Sequence, residues 1–126
     1  MRRSIALLAL LLPSAALAAP EEAPWEPLAF EAEDGSSFAF QRDSIVREGA
    51  KVTLTASMQR REPSASGFYR MTGRWRYNCA ARTAELLDYV AYGAEGDTLE
   101  TFTVPEPEVE PVAPDTAHDH FLRALC

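Results

Sequence analysis

The chain has 126 residues, with 12 basic side chains against 19 acidic ones for a formal net charge of −7, and 47% of it is hydrophobic. That length builds one small domain, and its ordinary hydrophobic and charged fractions exclude a disordered, collagenous or membrane-embedded chain. The acidic balance also excludes DNA and RNA as partners, because nucleic-acid affinity rests on Lys and Arg neutralising phosphates.

The chain opens on Met1-Arg2-Arg3, continues with an apolar run from Ile5 to Leu12, and reaches the small-residue stretch Ala16-Leu17-Ala18. A basic start, a short apolar core and an A-x-A site are the three parts of a cleavable secretory signal, expected over 1–18. An uncleaved anchor is the alternative reading, but the run is about half of the ~20 apolar residues that span a bilayer. No second candidate span follows, so no transmembrane segment is expected after cleavage. The mature domain, 19–126, then carries ten bases against nineteen acids. Ala19 rather than a lipid-acceptor Cys follows the site, so no lipid anchor is expected and the product is exported, free in the periplasm or outside the cell.

Residues 19–27 interleave Pro20, Pro24 and Pro27 with Glu21, Glu22 and Glu26, which predicts a loose acidic lead-in. After the turn signal Asp34-Gly35, Phe38 and Phe40 share one parity and predict a short strand. Asp43 to Gly49 reads as a turn or strand connection. Val52, Leu54, Ala56 and Met58 then alternate with polar residues, the pattern of a half-buried strand. Arg61 to Gly67 is the expected hairpin loop. In the next strand Tyr69, Met71, Gly73, Trp75 and Tyr77 occupy one parity and Arg70, Thr72, Arg74 and Arg76 the other, so one face is aromatic and the other cationic.

Ala84 to Tyr92 and Thr98 to Val104 are aromatic and β-branched enough to form two more strands across a Gly93 to Asp97 turn; a helix over 80–87 is the weaker alternative. Pro105, Pro107, Pro111 and Pro114 make the following segment extended. Asp115 or Thr116 can cap a closing helix whose stripe is Ala117, Phe121, Leu122 and Leu125. The fold class expected is α+β: an antiparallel sheet of about five or six strands with one C-terminal helix packed on its aromatic face, the arginine face pointing outward.

Two cysteines remain after export, Cys79 and Cys126, and an oxidising compartment turns paired thiols into a disulfide. A Cys79–Cys126 bridge is the leading reading, two free thiols or an intermolecular pair being the alternatives. Cys79 shares the parity of Trp75 and Tyr77, so such a bridge would bring the helix to the aromatic face.

The residues Asp43-Ser44-Ile45-Val46-Arg47-Glu48-Gly49, Trp75-Arg76-Tyr77-Asn78-Cys79, Glu110-Pro111-Val112-Ala113-Pro114 and the terminal Cys126 together resemble the surface-adhesin protein E family of bacteria, over roughly 25–126. The resemblance implies an antiparallel sheet and a C-terminal helix tied by the disulfide. For the namesake type it also implies a lipid-anchored outer-membrane adhesin that binds host matrix proteins, and this sequence lacks that type's lipid-acceptor Cys.

Charge offers the one site-level expectation. Six bases fall between 60 and 82, where Glu62 is the only acid. Arg70, Arg74 and Arg76 on one strand face span about 20 Å at ~3.3 Å per residue and are the candidate partner-binding residues, for an acidic protein patch, a sulfated glycan or lipid headgroups. Against this, the same arginines could pair with Glu85, Asp88 or Glu100 on neighbouring strands and only keep an exposed face soluble. Between Glu95 and Asp119 lie eight acids and no base, a segment suited either to solubility or to a cationic protein such as a lysozyme.

His118 and His120 stand at i,i+2, unlike the i,i+4 pair of a zinc helix, so no metal is expected. Ser44 and Ser57 lie in no nucleophile motif and no glycine loop cradles a phosphate, so neither catalysis nor a cofactor is expected. The sequence therefore reads as a secreted or periplasmic binding protein for a protein or anionic envelope or matrix ligand. The alternative is a periplasmic inhibitor of a cationic cell-wall hydrolase.

Overall fold

The structure, a computed structural model, describes residues 23–126; the expected signal segment and most of the lead-in lie outside them. Local chemistry accounts for the strand order. β1 (Glu26–Glu31) and β2 (Ser37–Phe40) form an antiparallel hairpin. In its turn Gly35 takes φ +83° and the Asp34 carboxylate accepts from the Ser36 N–H, a side-chain turn of the kind Asp favours. β1 thus includes Glu26 and Pro27, the end of the stretch expected to be loose.

A single 3-10 turn (Arg42–Ser44) leads into β3 (Val46–Glu48). β3 pairs with β4 (Lys51–Gln59), which also pairs with β2 and with β5 (Phe68–Asn78). β6 (Thr83–Gly93) returns antiparallel along β5, β7 (Thr98–Thr103) borders it, and the short β8 (Glu110–Pro111) pairs with the start of β6. The main path runs β1-β2-β4-β5-β6-β7, with β3 and β8 off it, eight strands in a half-barrel. The 80–87 segment is turn and strand, not helix.

Two irregularities in the β5–β6 ladder matter for the faces. Arg74 faces Asp88 while Trp75 faces Leu86, so Leu87 is an extra residue in β6, a bulge. The register shifts again between Phe68 and Arg70. Simple alternation placed Tyr69 on the side of Trp75. Instead its hydroxyl takes the Gln59 side-chain N–H at 3.1 Å, beside Arg70.

The helix α1 (Ala117–Leu125) starts at Thr116, whose hydroxyl accepts from the Asp119 N–H at 3.3 Å, and ends where the Cys126 N–H bonds the Leu122 carbonyl. The Arg47 guanidinium donates to the Leu125 carbonyl at 2.7 Å, a cation at the negative end of the helix dipole. Phe121, Leu122 and Leu125 are buried against Phe40, Val52, Leu54 and Tyr77, which is the core. Phe121 meets Phe38 and Phe40 edge-on and stacks on Tyr77 at 5.9 Å. Cys79 and Cys126 are joined by a disulfide, so the helix is tied to the end of β5 whose aromatic face it covers.

Candidate functional site

β5 carries the expected candidates on the face away from the helix, and the neighbouring strands decide their surroundings. Arg74 lies beside Thr55 on β4 and Asp88 on β6, and Arg76 beside Thr53 and Glu85. Arg74 Nε donates to the Asp88 carboxylate at 2.7 Å and Arg76 Nε to Glu85. Those hydrogen bonds push both guanidinium pKa values further up, and Arg76 holds the Glu85 carboxyl below its ordinary range. The Arg74 side chain is still 57% exposed and that of Arg76 35%, so both remain reachable. The two pairings are those the alternative reading of the sequence anticipated; Glu100 instead adds to the effect of burial in raising the Tyr89 pKa.

Arg70 sits in a different setting. Its guanidinium stacks over the Trp25 ring at 5.2 Å and the Tyr92 ring at 5.9 Å, a cation–π arrangement. Gln59, Tyr69, Thr72 and Tyr92 surround it in an open cleft of about 380 Å³. Sequence reasoning missed Trp25, Tyr69 and Tyr92 here. Trp25 is remote in sequence and Tyr69 is turned by the irregular ladder, so only the exposed aromatic content of this face could have hinted at them.

The helix side holds a second group of side chains. The His118 ring lies 4.5 Å from Trp75 and shares a 2.8 Å hydrogen bond with the Tyr77 hydroxyl. Burial pushes the His118 pKa below the ordinary histidine value, against the pull of Glu110. Burial likewise pushes the Tyr77 hydroxyl far up. His120 leaves in another direction and packs on Phe30 at 4.5 Å. Among the described residues no group of three or more His, Cys, Asp and Glu is placed to hold a metal ion. Ser44 bonds the Gln41 carbonyl and receives the Thr55 N–H, which makes it a structural hydroxyl.

Asp119 departs from the solvated role expected of the acidic segment. It is 1% exposed and accepts from the Asp115 N–H at 3.0 Å, from Arg82 and from Arg123 at 2.8 Å. The Asp115 N–H above all, with Arg82 and Arg123, holds its carboxyl below the usual range. Arg82 and Asp115 both take positive φ, +52° and +58°, conformations costly for non-glycine residues that persist where their surroundings impose them. The anchor between the β5–β6 turn and the helix start is therefore electrostatic as well as covalent.

No helix among the described residues is long and apolar enough to cross a membrane. The chain is similar in fold to Haemophilus influenzae protein E. Crystal form II of that protein aligns with a TM-score of 0.58 at 13% identity, covering 87% of this chain and 94% of that one. A second structure of it aligns at 0.54 with 15% identity, covering 87% and 90%. A selenomethionine form aligns at 0.57 with 14% identity, covering 87% and 92%. Among curated protein sequences none matches. The profile of surface-adhesin protein E matches residues 25–126, which is nearly the whole described domain, and the chain belongs to that family.

Proposed function

We propose that the protein is an exported, non-enzymatic binding protein that engages an extracellular or envelope ligand through the arginine-bearing face of β5. The observation that carries this reading is membership of the surface-adhesin family across residues 25–126. Charge geometry narrows the ligand. Asp88 and Glu85 cancel much of the long-range field of Arg74 and Arg76, so a sulfated glycan or an anionic lipid surface gains little from this face. A protein epitope exchanges hydrogen bonds with such pairs one at a time. Trp, Tyr and Arg are also the side chains that dominate protein interfaces, and Trp25, Arg70 and Tyr92 are stacked together here. The ligand class is therefore a matrix or envelope protein.

Antibody labelling of intact against permeabilised cells tests the location, and binding to immobilised matrix proteins tests the face. Intact cells are expected to label. The Arg70→Ser/Arg74→Ser/Arg76→Ser variant is expected to keep its circular dichroism and lose binding; unchanged binding removes the face from the reading. The run of eight acids and no base between 95 and 119 supports a second reading, a periplasmic inhibitor of a cationic cell-wall hydrolase such as lysozyme. Labelling only after permeabilisation, together with inhibition of lysozyme, would replace the first reading with the second.

A further inference from the structure

On the opposite face, the space between the sheet and the first turn of α1 is not filled. An apolar cavity of about 150 Å³ opens there, walled by Phe38, Met58, Met71, Trp75, His118 and Phe121. An apolar space of about this size is enough to take a benzene-sized ring. On the other side of Trp75, a shallower cleft of about 220 Å³ runs between Leu86 and Val104 and is edged by Glu108 and Glu110. Trp75 lines both, so the two lie on either side of one side chain. Neither is lined by a Lys or Arg, and Glu108 and Glu110 are exposed within the segment that carries eight acids and no base.

A pocket the size of one side chain, with two exposed carboxylates edging the neighbouring cleft, has a definite complement. We propose that this surface docks an extended segment of a partner protein, inserting one aromatic or large aliphatic side chain beside Trp75 while a neighbouring Lys or Arg of that segment meets Glu108 and Glu110. Apolar burial supplies the anchor and the carboxylates choose the charge of its flanks. The site is independent of Arg70, Arg74 and Arg76, which point from the other side of the sheet, so it stands or falls apart from the function proposed above.

Trp75 reports on the site directly. In a Trp25→Phe variant of the mature protein it is the sole tryptophan, and its emission is followed while three blocked tripeptides are added: Lys-Phe-Lys, Lys-Ala-Lys and Glu-Phe-Glu. Lys-Phe-Lys is expected to shift the emission saturably, and the other two to bind at least about tenfold more weakly. Glu108→Gln/Glu110→Gln, at exposed positions that leave the fold alone, is expected to abolish the preference for Lys-Phe-Lys over Glu-Phe-Glu. Ala117→Leu, which adds bulk at the cavity wall, is expected to abolish binding. No saturable change with Lys-Phe-Lys overturns the proposal. So does equal binding of Glu-Phe-Glu, which would make the cavity a site for any small apolar group, or unaltered binding by either variant.

Discussion

Asp119 and His118 are adjacent in sequence and are both withdrawn from water, yet they respond to pH over different intervals. The His118 pKa lies below the ordinary value of 6.5 because its ring is buried. The unfolded chain therefore takes up a proton as pH falls through 6.5 while the folded chain does not, and stability present above that pH is lost below it. The melting temperature is expected to fall between about pH 7.5 and about pH 5, and His118→Gln is expected to flatten that slope; an identical slope in the variant would assign the loss to other groups. Asp119, held low chiefly by the Asp115 N–H, contributes stability above its ordinary 3.8 that disappears as pH drops further. Asp119→Asn is expected to lower the melting temperature at pH 7 and to weaken acid sensitivity below pH 4. At the other extreme Tyr77, whose pKa burial raises, withdraws stability only above pH 10.

The elements are held in place by a few contacts whose loss has a predictable size. The 47-residue separation of Cys79 and Cys126 makes the disulfide worth about 4 kcal/mol in the chain-entropy model. Cys79→Ser/Cys126→Ser is expected to show that loss in urea titration, and an unaltered midpoint would mean that packing alone docks the helix. Leu122, 1% exposed beneath the helix, is expected to cost about 2–5 kcal/mol as Leu122→Ala. Thr116→Ala removes the helix cap, with an expected loss of about 1 kcal/mol. On β5, a Cβ built on Gly73 would lie 2.8 Å from the Asp88 carbonyl beside the β6 bulge. Gly73→Ala is therefore expected to destabilise by about 1–3 kcal/mol, and it would displace the strand segment that presents Arg74 to Asp88.

At the scale of the molecule, one curved sheet and one helix share a single core, and Phe121 touches both arms of it through Phe38, Phe40 and Tyr77. With no second core among the described residues to melt separately, helix loss and tryptophan exposure belong to one transition. Far-ultraviolet circular dichroism and tryptophan emission are expected to give coincident urea curves, whereas an earlier loss of helix would mark α1 as a separable unit. The same arrangement sorts charge by face. Guanidiniums paired with carboxylates occupy one side of β5, while Glu108 and Glu110 edge an apolar cleft on the other. One small domain thereby offers two chemically different surfaces.

Period-two alternation was enough to find β2, β4 and β5, because a half-buried strand must alternate to bury one face; aromatic and β-branched content found β6 and β7, and the short β8 lay in a segment read only as extended. The i+4 stripe of Phe121 and Leu125 located the helix, and two cysteines in a chain expected to be exported located the bridge. β1 was hidden by Pro27 and the glutamates around it, since an edge strand tolerates both. What alternation could not register is a bulge, which leaves composition untouched while turning Tyr69 toward Arg70 and inserting Leu87 opposite the Arg74–Trp75 step. Nor could it choose partners. The sequence by itself determined that Met71, Gly73, Trp75 and Tyr77 share one face of β5 and Arg70, Thr72, Arg74 and Arg76 the other, because strand periodicity is local; the face of Tyr69, at the irregular start of the strand, it did not. Only the tertiary structure decided that Arg74 and Arg76 are matched by Asp88 and Glu85, that Trp25 lies over Arg70, and that Asp119 is buried between Arg82 and Arg123. Apart from the i,i+4 pair Asp119–Arg123 within the helix, those contacts join residues 9 to 45 positions apart, and their pairing is set by strand register and helix docking rather than by any local preference.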